Sequence, residues 1–304
     1  MRRRIIRQGN NSFTMTLPVK WVRENSLEKE GEVDISEEGK KIIVSPISVS
    51  NIKESTISLK GIDEKSLSTT LTHLYRSGLS RITLKDVDKE KVDVIESLID
   101  KVLTGMEISK KCDGLCILEV ISEPRQENYI LLLKKIFFII QESVSIILEN
   151  KELERIDRLT EKAKSHEQFC KRFIANNIKG QEGFEQYTLL SYLIVIQTDL
   201  QKMAGMISKE KIKISKRTED DINKLLVIFK KVTEGFFEKD TKTLYDTDKF
   251  VRATLSANLN ALSTIKEKPL YHFYLEILRI LYSMHMPMIG LALAKSNSDV
   301  YNRT

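Results

Sequence analysis

Apolar residues recur along this chain with two different periods, and the changes of period divide it into three stretches. Up to Pro46 the pattern is short and alternating. Residues 3–7 and 13–17 each read as a strand, separated by the turn cluster Gln8, Gly9, Asn10 and Asn11. Pro18 suits the first position of a short helix from Val19 to Glu24, which Asn25 and Ser26 would close. Residues 32–36 and 41–45 then form a hairpin across 37–40, and Pro46 ends the stretch. So short a segment buries a marginal core alone, so it needs a second copy of itself.

From residue 52 the pattern changes. Residues 56–59 and 81–85 predict strands, with a helix from Asp63 to Arg76 between them and Gly78 as its stop. Asp88 opens a second helix, in which Val92, Ile95, Leu98, Ile99 and Val102 fall at helical spacing. A hairpin over 106–109 and 115–121 follows. Strand, helix, strand, helix, hairpin is the order of an α/β sandwich with helices on one sheet face. Asp113-Gly114 is a two-residue turn signal that pairs Cys112 with Leu115 and Lys111 with Cys116. The two sulfurs then point to opposite faces, which argues against a bridge.

Beyond Pro124 almost no strand signal remains. Helices are predicted at 126–149, 151–178, 184–209, 217–239, 241–265 and 269–296. Ile222, Leu225, Leu226, Phe229, Val232, Phe236 and Phe237 form a core-facing stripe. The breaks are short, so neighbouring helices must run antiparallel. The six divide into two sets of three, and Tyr187 and Tyr271, 84 residues apart, both lead into apolar runs. That spacing hints at internal duplication. The expected organisation is multidomain α+β: residues 1–47, an α/β sandwich over 51–123, and an all-α region over 126–296.

Charge sharpens this picture. Arg2, Arg3, Arg4, Arg7, Lys20 and Arg23 precede the first acid, Glu24, while residues 24–304 carry 43 charges of each sign. The whole net charge of +6 therefore sits in the first 23 residues. A basic end on a neutral body calls for an anionic partner, and these side chains could neutralise phosphates along a duplex.

Catalytic chemistry finds no support. The histidines at 73, 166, 272 and 285 are scattered, no phosphate-cradling glycine loop exists, and there is no nucleophile elbow. His73 reads as a structural or surface residue. Met284, Met286 and Met288 flank Pro287 in a buried helix, where adaptable packing or a kink explains them. Neither an enzyme nor a bound cofactor is expected. Three cysteines suit a reducing compartment. The basic start leads into a polar turn, and charges such as Glu276 and Arg279 interrupt the greasiest runs. A cytoplasmic chain without membrane insertion is therefore expected.

The residues from Arg3 to Arg23, followed by 32–36 and 42–46, resemble a SpoVT-AbrB domain. The glycine turn, the strand running into Leu17-Pro18, the basic short helix and the closing hairpin match in order and spacing. The resemblance implies half of a swapped-hairpin β-barrel, a homodimer through this domain, and a basic face that grips DNA. DNA contacts carry over to Arg4, Arg7, Lys20 and Arg23, with Arg2, Arg3 and Asn10 as neighbours.

The helical region is similar to the PhoU family of phosphate-uptake regulators, built from two three-helix repeats. Residues 154–159, 198–204 and the helix opening at Leu270 carry that similarity, and the order of the three parts is that of archaeal phosphate-uptake regulators. PhoU proteins hold metal clusters on paired carboxylates. At the matching positions this chain has Gln201 with Gly205 and His285 with Ile289, so no metal is expected. Glu152, Glu154 and Asp157 lie beside Arg155 and Arg158 and read as a salt-bridging face.

The resemblances together imply a DNA-binding regulator of phosphate homeostasis with a helical sensing or partner-binding domain. A second reading is an adaptor that regulates a phosphate transporter or kinase by contact, with the first module used only for dimerisation.

Overall fold

The computed structural model describes residues 2–9, 12–28, 31–38, 41–46, 53–123, 125–261 and 267–301, in a mixed α+β chain of two units, 1–52 and 53–304. In the first unit, β1 (Ile6–Gln8) pairs antiparallel with β2 (Ser12–Thr14), with Arg7 opposite Phe13. Gly9 turns the chain between them at φ +72°, a left-handed conformation that glycine adopts without steric cost. The helix α1 (Val19–Glu24) follows Pro18, which caps it rather than occupying its first turn. Then β3 (Val33–Glu38) and β4 (Lys41–Pro46) form a hairpin.

Three expectations change here, the first being that the strand expected over 13–17 is Ser12–Thr14. The strand expected over 3–7 shrinks to Ile6–Gln8, because β2 offers only three partner positions and residues 2–5 have no ladder to join. The turn expected over 37–40 is tighter, because Glu38 pairs with Lys41 and the ladder runs on through Glu37.

The second unit opens with β5 (Glu54–Ser58), α2 (Glu64–Arg76), β6 (Arg81–Val87), α3 (Lys89–Lys101), β7 (Met106–Cys112) and β8 (Gly114–Val120). The sheet order is β5-β6-β8-β7, with β5 parallel to β6 and the other pairs antiparallel. A parallel pair needs a crossover, and α2 supplies it. Asp63 and Asp88 cap the two helices, accepting from Ser66 N at 2.8 Å and Lys91 N at 2.9 Å. Leu67, Leu71, Tyr75 and Ile95 bury against Ile82, Leu84, Cys116 and Leu118 as one core. The Asp113-Gly114 hairpin keeps the expected register, with Cys112 opposite Leu115, so Cys112 is exposed and Cys116 buried.

Six helices follow: α4 (Gln126–Glu149), α5 (Arg155–Asn177), α6 (Gly180–Glu210), α7 (Lys216–Phe237), α8 (Thr241–Ala261) and α9 (Lys268–Tyr301). Helices α4, α5 and α6 pack on one another, as do α7, α8 and α9, and α4–α7 and α6–α9 contacts join the two sets. One continuous core runs through all six. The helix expected from 151 starts at Arg155 instead, because Asn150 and Glu152 adopt positive φ and break the chain there. Residues 262–265, expected to end α8, lie outside the described residues.

The run in α9 is longer than the sequence suggested. Lys268–Ala294 is long and apolar enough, by length and composition, to cross a membrane, and half of its most apolar window is buried inside the protein. Glu276 and Arg279 lie within this stretch and pair with each other at 2.6 Å.

The sandwich and the helices meet through α5. Buried Arg172 donates to the carbonyls of Tyr75 at 3.0 Å and Leu79 at 2.8 Å, and Lys53 Nζ donates to Asn176 at 3.0 Å.

Candidate nucleic-acid interface

The basic candidates all belong to the first unit, and this unit has an unusual property. None of its described residues with a described side chain is buried. Ile6 is 60% exposed, Phe13 68%, Ile35 66% and Ile42 63%. Trp21, Val22, Leu27, Val33, Ile43 and Val44 are half-buried, but Ile6, Phe13, Ile35 and Ile42 stay in water until something covers them.

Arg2, Arg3 and Arg4 lie exposed ahead of β1, and Arg7 lies within that strand. Four arginines therefore share a continuous stretch, although only one is in the strand. Ser12 and Thr14 tie the hairpin by side-chain bonds to the carbonyls of Gln8 and Ile6, the latter at 3.4 Å. Asn10 lies outside the described residues.

Lys20 and Arg23 are placed differently. Lys20 Nζ is 3.7 Å from Glu24 one helical turn on, and Arg23 Nε donates to Glu28 at 3.0 Å. The acid-free run of 23 residues hides these partners, because a helix brings the first acids beyond it back onto the basic face. Such exposed pairs are weak, and phosphate competes with the carboxylates readily. Spacing alone, Lys20 to Glu24, carried the signal.

The positions matching carboxylate pairs in the helical region hold other chemistry. Gln201 Nε2 donates to Asp157 at 2.7 Å, so Asp157 faces an amide across α5 and α6. The expected salt-bridging face is only partly so: Arg155 pairs with Glu142 and, at 3.7 Å, with Glu152. His285 is buried, with Nδ1 2.7 Å from the Leu281 carbonyl and 4.0 Å from Asp248 of α8. Burial pushes its pKa down, against the weaker pull of Asp248. Met284 and Met288 are buried in the core, whereas Met286 is exposed. His73 is exposed on α2. Among the described residues, no three His, Cys, Asp or Glu side chains converge as a metal site would require.

Residues 6–51 match the family described as antidote-toxin recognition MazE, bacterial antitoxin. The first unit is a MazE/AbrB-like domain. The match takes in Arg7, Asn10, Lys20 and Arg23, while Arg2, Arg3 and Arg4 precede it. No curated protein and no solved structure matches the chain significantly.

Proposed function

We propose that this protein is a DNA-binding transcriptional regulator that dimerises through its MazE/AbrB-like unit. The observation that carries the reading is the pairing of an exposed arginine segment with a unit that, among its described side chains, fully buries none and leaves Ile6, Phe13, Ile35 and Ile42 exposed. A second copy would cover Ile6, Phe13, Ile35 and Ile42 and double the number of phosphate-neutralising groups. Both changes favour a polyanion as long as a DNA duplex.

The helical region would then sense a signal or bind a partner. Its packing in two sets of three helices supports a PhoU-like reading, and phosphate homeostasis follows from that resemblance alone. No catalytic role is assigned to any residue. A chain of this kind works in the cytoplasm.

The description of the matched family favours a second reading, an antidote whose first unit recognises a protein. Salt-dependent retention of duplex DNA by the full-length protein tests the first reading. Retention that is lost on replacing Arg4 and Arg7 by Ala supports it, and absence of retention at low salt transfers the case to protein recognition.

A further inference from the structure

One cavity in the helical region has the make-up of a ligand site. It lies where α4 and α6 of one helix set meet α7 and α9 of the other, and its volume is about 230 Å³. Leu133, Phe236, Phe237 and Leu291 form its apolar wall, and Ile130 stands at its exposed mouth. Tyr129 donates its hydroxyl to Gln186, whose amide donates to Glu182 at 2.9 Å, so the polar groups of this wall are already engaged.

Two lysines line the same cavity, and no carboxylate does. Lys134 Nζ sits 5.2 Å from the centre of the Phe237 ring, and Lys239 lies two residues past the end of α7. Among the described residues neither forms a salt bridge, although Lys171, Lys202 and Lys224 of the same region each do. The last carbonyls of α7 do not oppose an anion strongly, because Gly235 O and Phe236 O accept from Asp240 N at 2.9 Å and Lys239 N at 3.4 Å. An apolar chamber lined by two ammonium groups outside any described salt bridge suits a ligand with an apolar body and one negative end.

We propose that this cavity binds a small amphipathic carboxylate, with an aromatic or branched aliphatic body of about a dozen non-hydrogen atoms. The body lies against Phe236, Phe237 and Leu133, and the carboxylate accepts charge-assisted hydrogen bonds from Lys134 and Lys239. Sulfate-sized ions lack the apolar body, and neutral molecules forgo the charge-assisted hydrogen bonds. The inference does not depend on DNA binding by the first unit.

Calorimetric titration of the full-length protein with phenylbutyrate, and with the neutral phenylbutanol, tests it without DNA. One saturable site per chain is expected for the acid, with the alcohol weaker by about tenfold or more. Lys134→Gln combined with Lys239→Gln should cost the acid about tenfold and leave the alcohol unchanged, while Lys134→Arg retains binding. Both lysines are exposed, so these changes leave the core intact. Equal affinity for acid and alcohol, indifference to the double substitution, or no saturation in the low-millimolar range would each overturn the proposal.

Discussion

Arg172 and Glu123 meet in a two-pronged ion pair, with Nε donating to Oε2 at 3.0 Å and Nη2 to Oε1. Arg172 is fully buried, lies over the Tyr75 ring at 5.0 Å, and spends a further nitrogen on two carbonyls of the sandwich. One guanidinium thus satisfies four acceptor atoms across the junction of sandwich and helices. Its planar fork can do this where an ammonium cannot.

Arg172→Ala should therefore destabilise the second unit by about 2–4 kcal/mol, because the Tyr75 and Leu79 carbonyls lose their donor while half-exposed Glu123 returns to water. Arg172→Lys should recover only a minor part. Chemical denaturation of the full-length protein, followed by helical circular dichroism, measures both. A loss under about 1 kcal/mol for the alanine variant would mean the junction is held mainly by apolar contacts.

DNA binding should fall steeply with salt. If two chains present Arg4, Arg7, Lys20 and Arg23, roughly six to eight phosphates are neutralised, for a log–log slope of about −5 to −7. Arg4→Ala with Arg7→Ala should flatten the slope by about 3 or 4 in the dimer. Lys20→Ala should act less, because Glu24 already screens that charge.

Acid should weaken the helical region before it protonates most carboxylates. Burial pushes the pKa of His166 down to about 4, helped by Lys135 and Lys162, and lowers that of His285. Both stay neutral in the fold while the unfolded chain takes up protons below about pH 6.5. Stability is then full above that pH and is lost as pH falls, by up to about 1.4 kcal/mol per unit for each histidine until its folded pKa is reached. Denaturation midpoints between about pH 7.5 and about pH 5, which cover the upper part of the window from about 6.5 to about 4 that His166 defines, check this, and His166→Gln should flatten the dependence.

Tightly bound metal should be well under one equivalent per chain after purification without chelator, read by elemental analysis. Gln201 brings an amide to Asp157, and a neutral oxygen ligand with one carboxylate is a poor divalent site. Gln201→Glu should raise divalent affinity by adding a second carboxylate. Two equivalents that survive dialysis in the unaltered protein would refute the expectation.

Much of the second unit was legible because its signals are local. Asp113-Gly114 set the hairpin register, and Asp63 and Asp88 marked helix starts three residues before the amides they bond. The candidate interface was legible in composition and less so in geometry. Charge counting could not show that α1 and the turn after it bring Glu24 and Glu28 back toward Lys20 and Arg23, nor that a three-residue β2 leaves residues 2–5 outside the strand. Arg172 escaped for another reason. Its partners at 75, 79 and 123 are distant in sequence, and no periodicity distinguishes a buried arginine from the exposed ones around it.

The exposed apolar side chains of the first unit would, in the proposed dimer, tie its assembly to abundance. A unit that covers Ile6, Phe13, Ile35 and Ile42 against a copy of itself, as proposed, would pair in proportion to the square of chain concentration at low occupancy. Doubling the number of molecules in a cell would then nearly quadruple the paired form, so expression level becomes a steep input. A dilute cell and a crowded one would differ in how many assembled basic faces they hold, with no change in the sequence and no signal received by the helices.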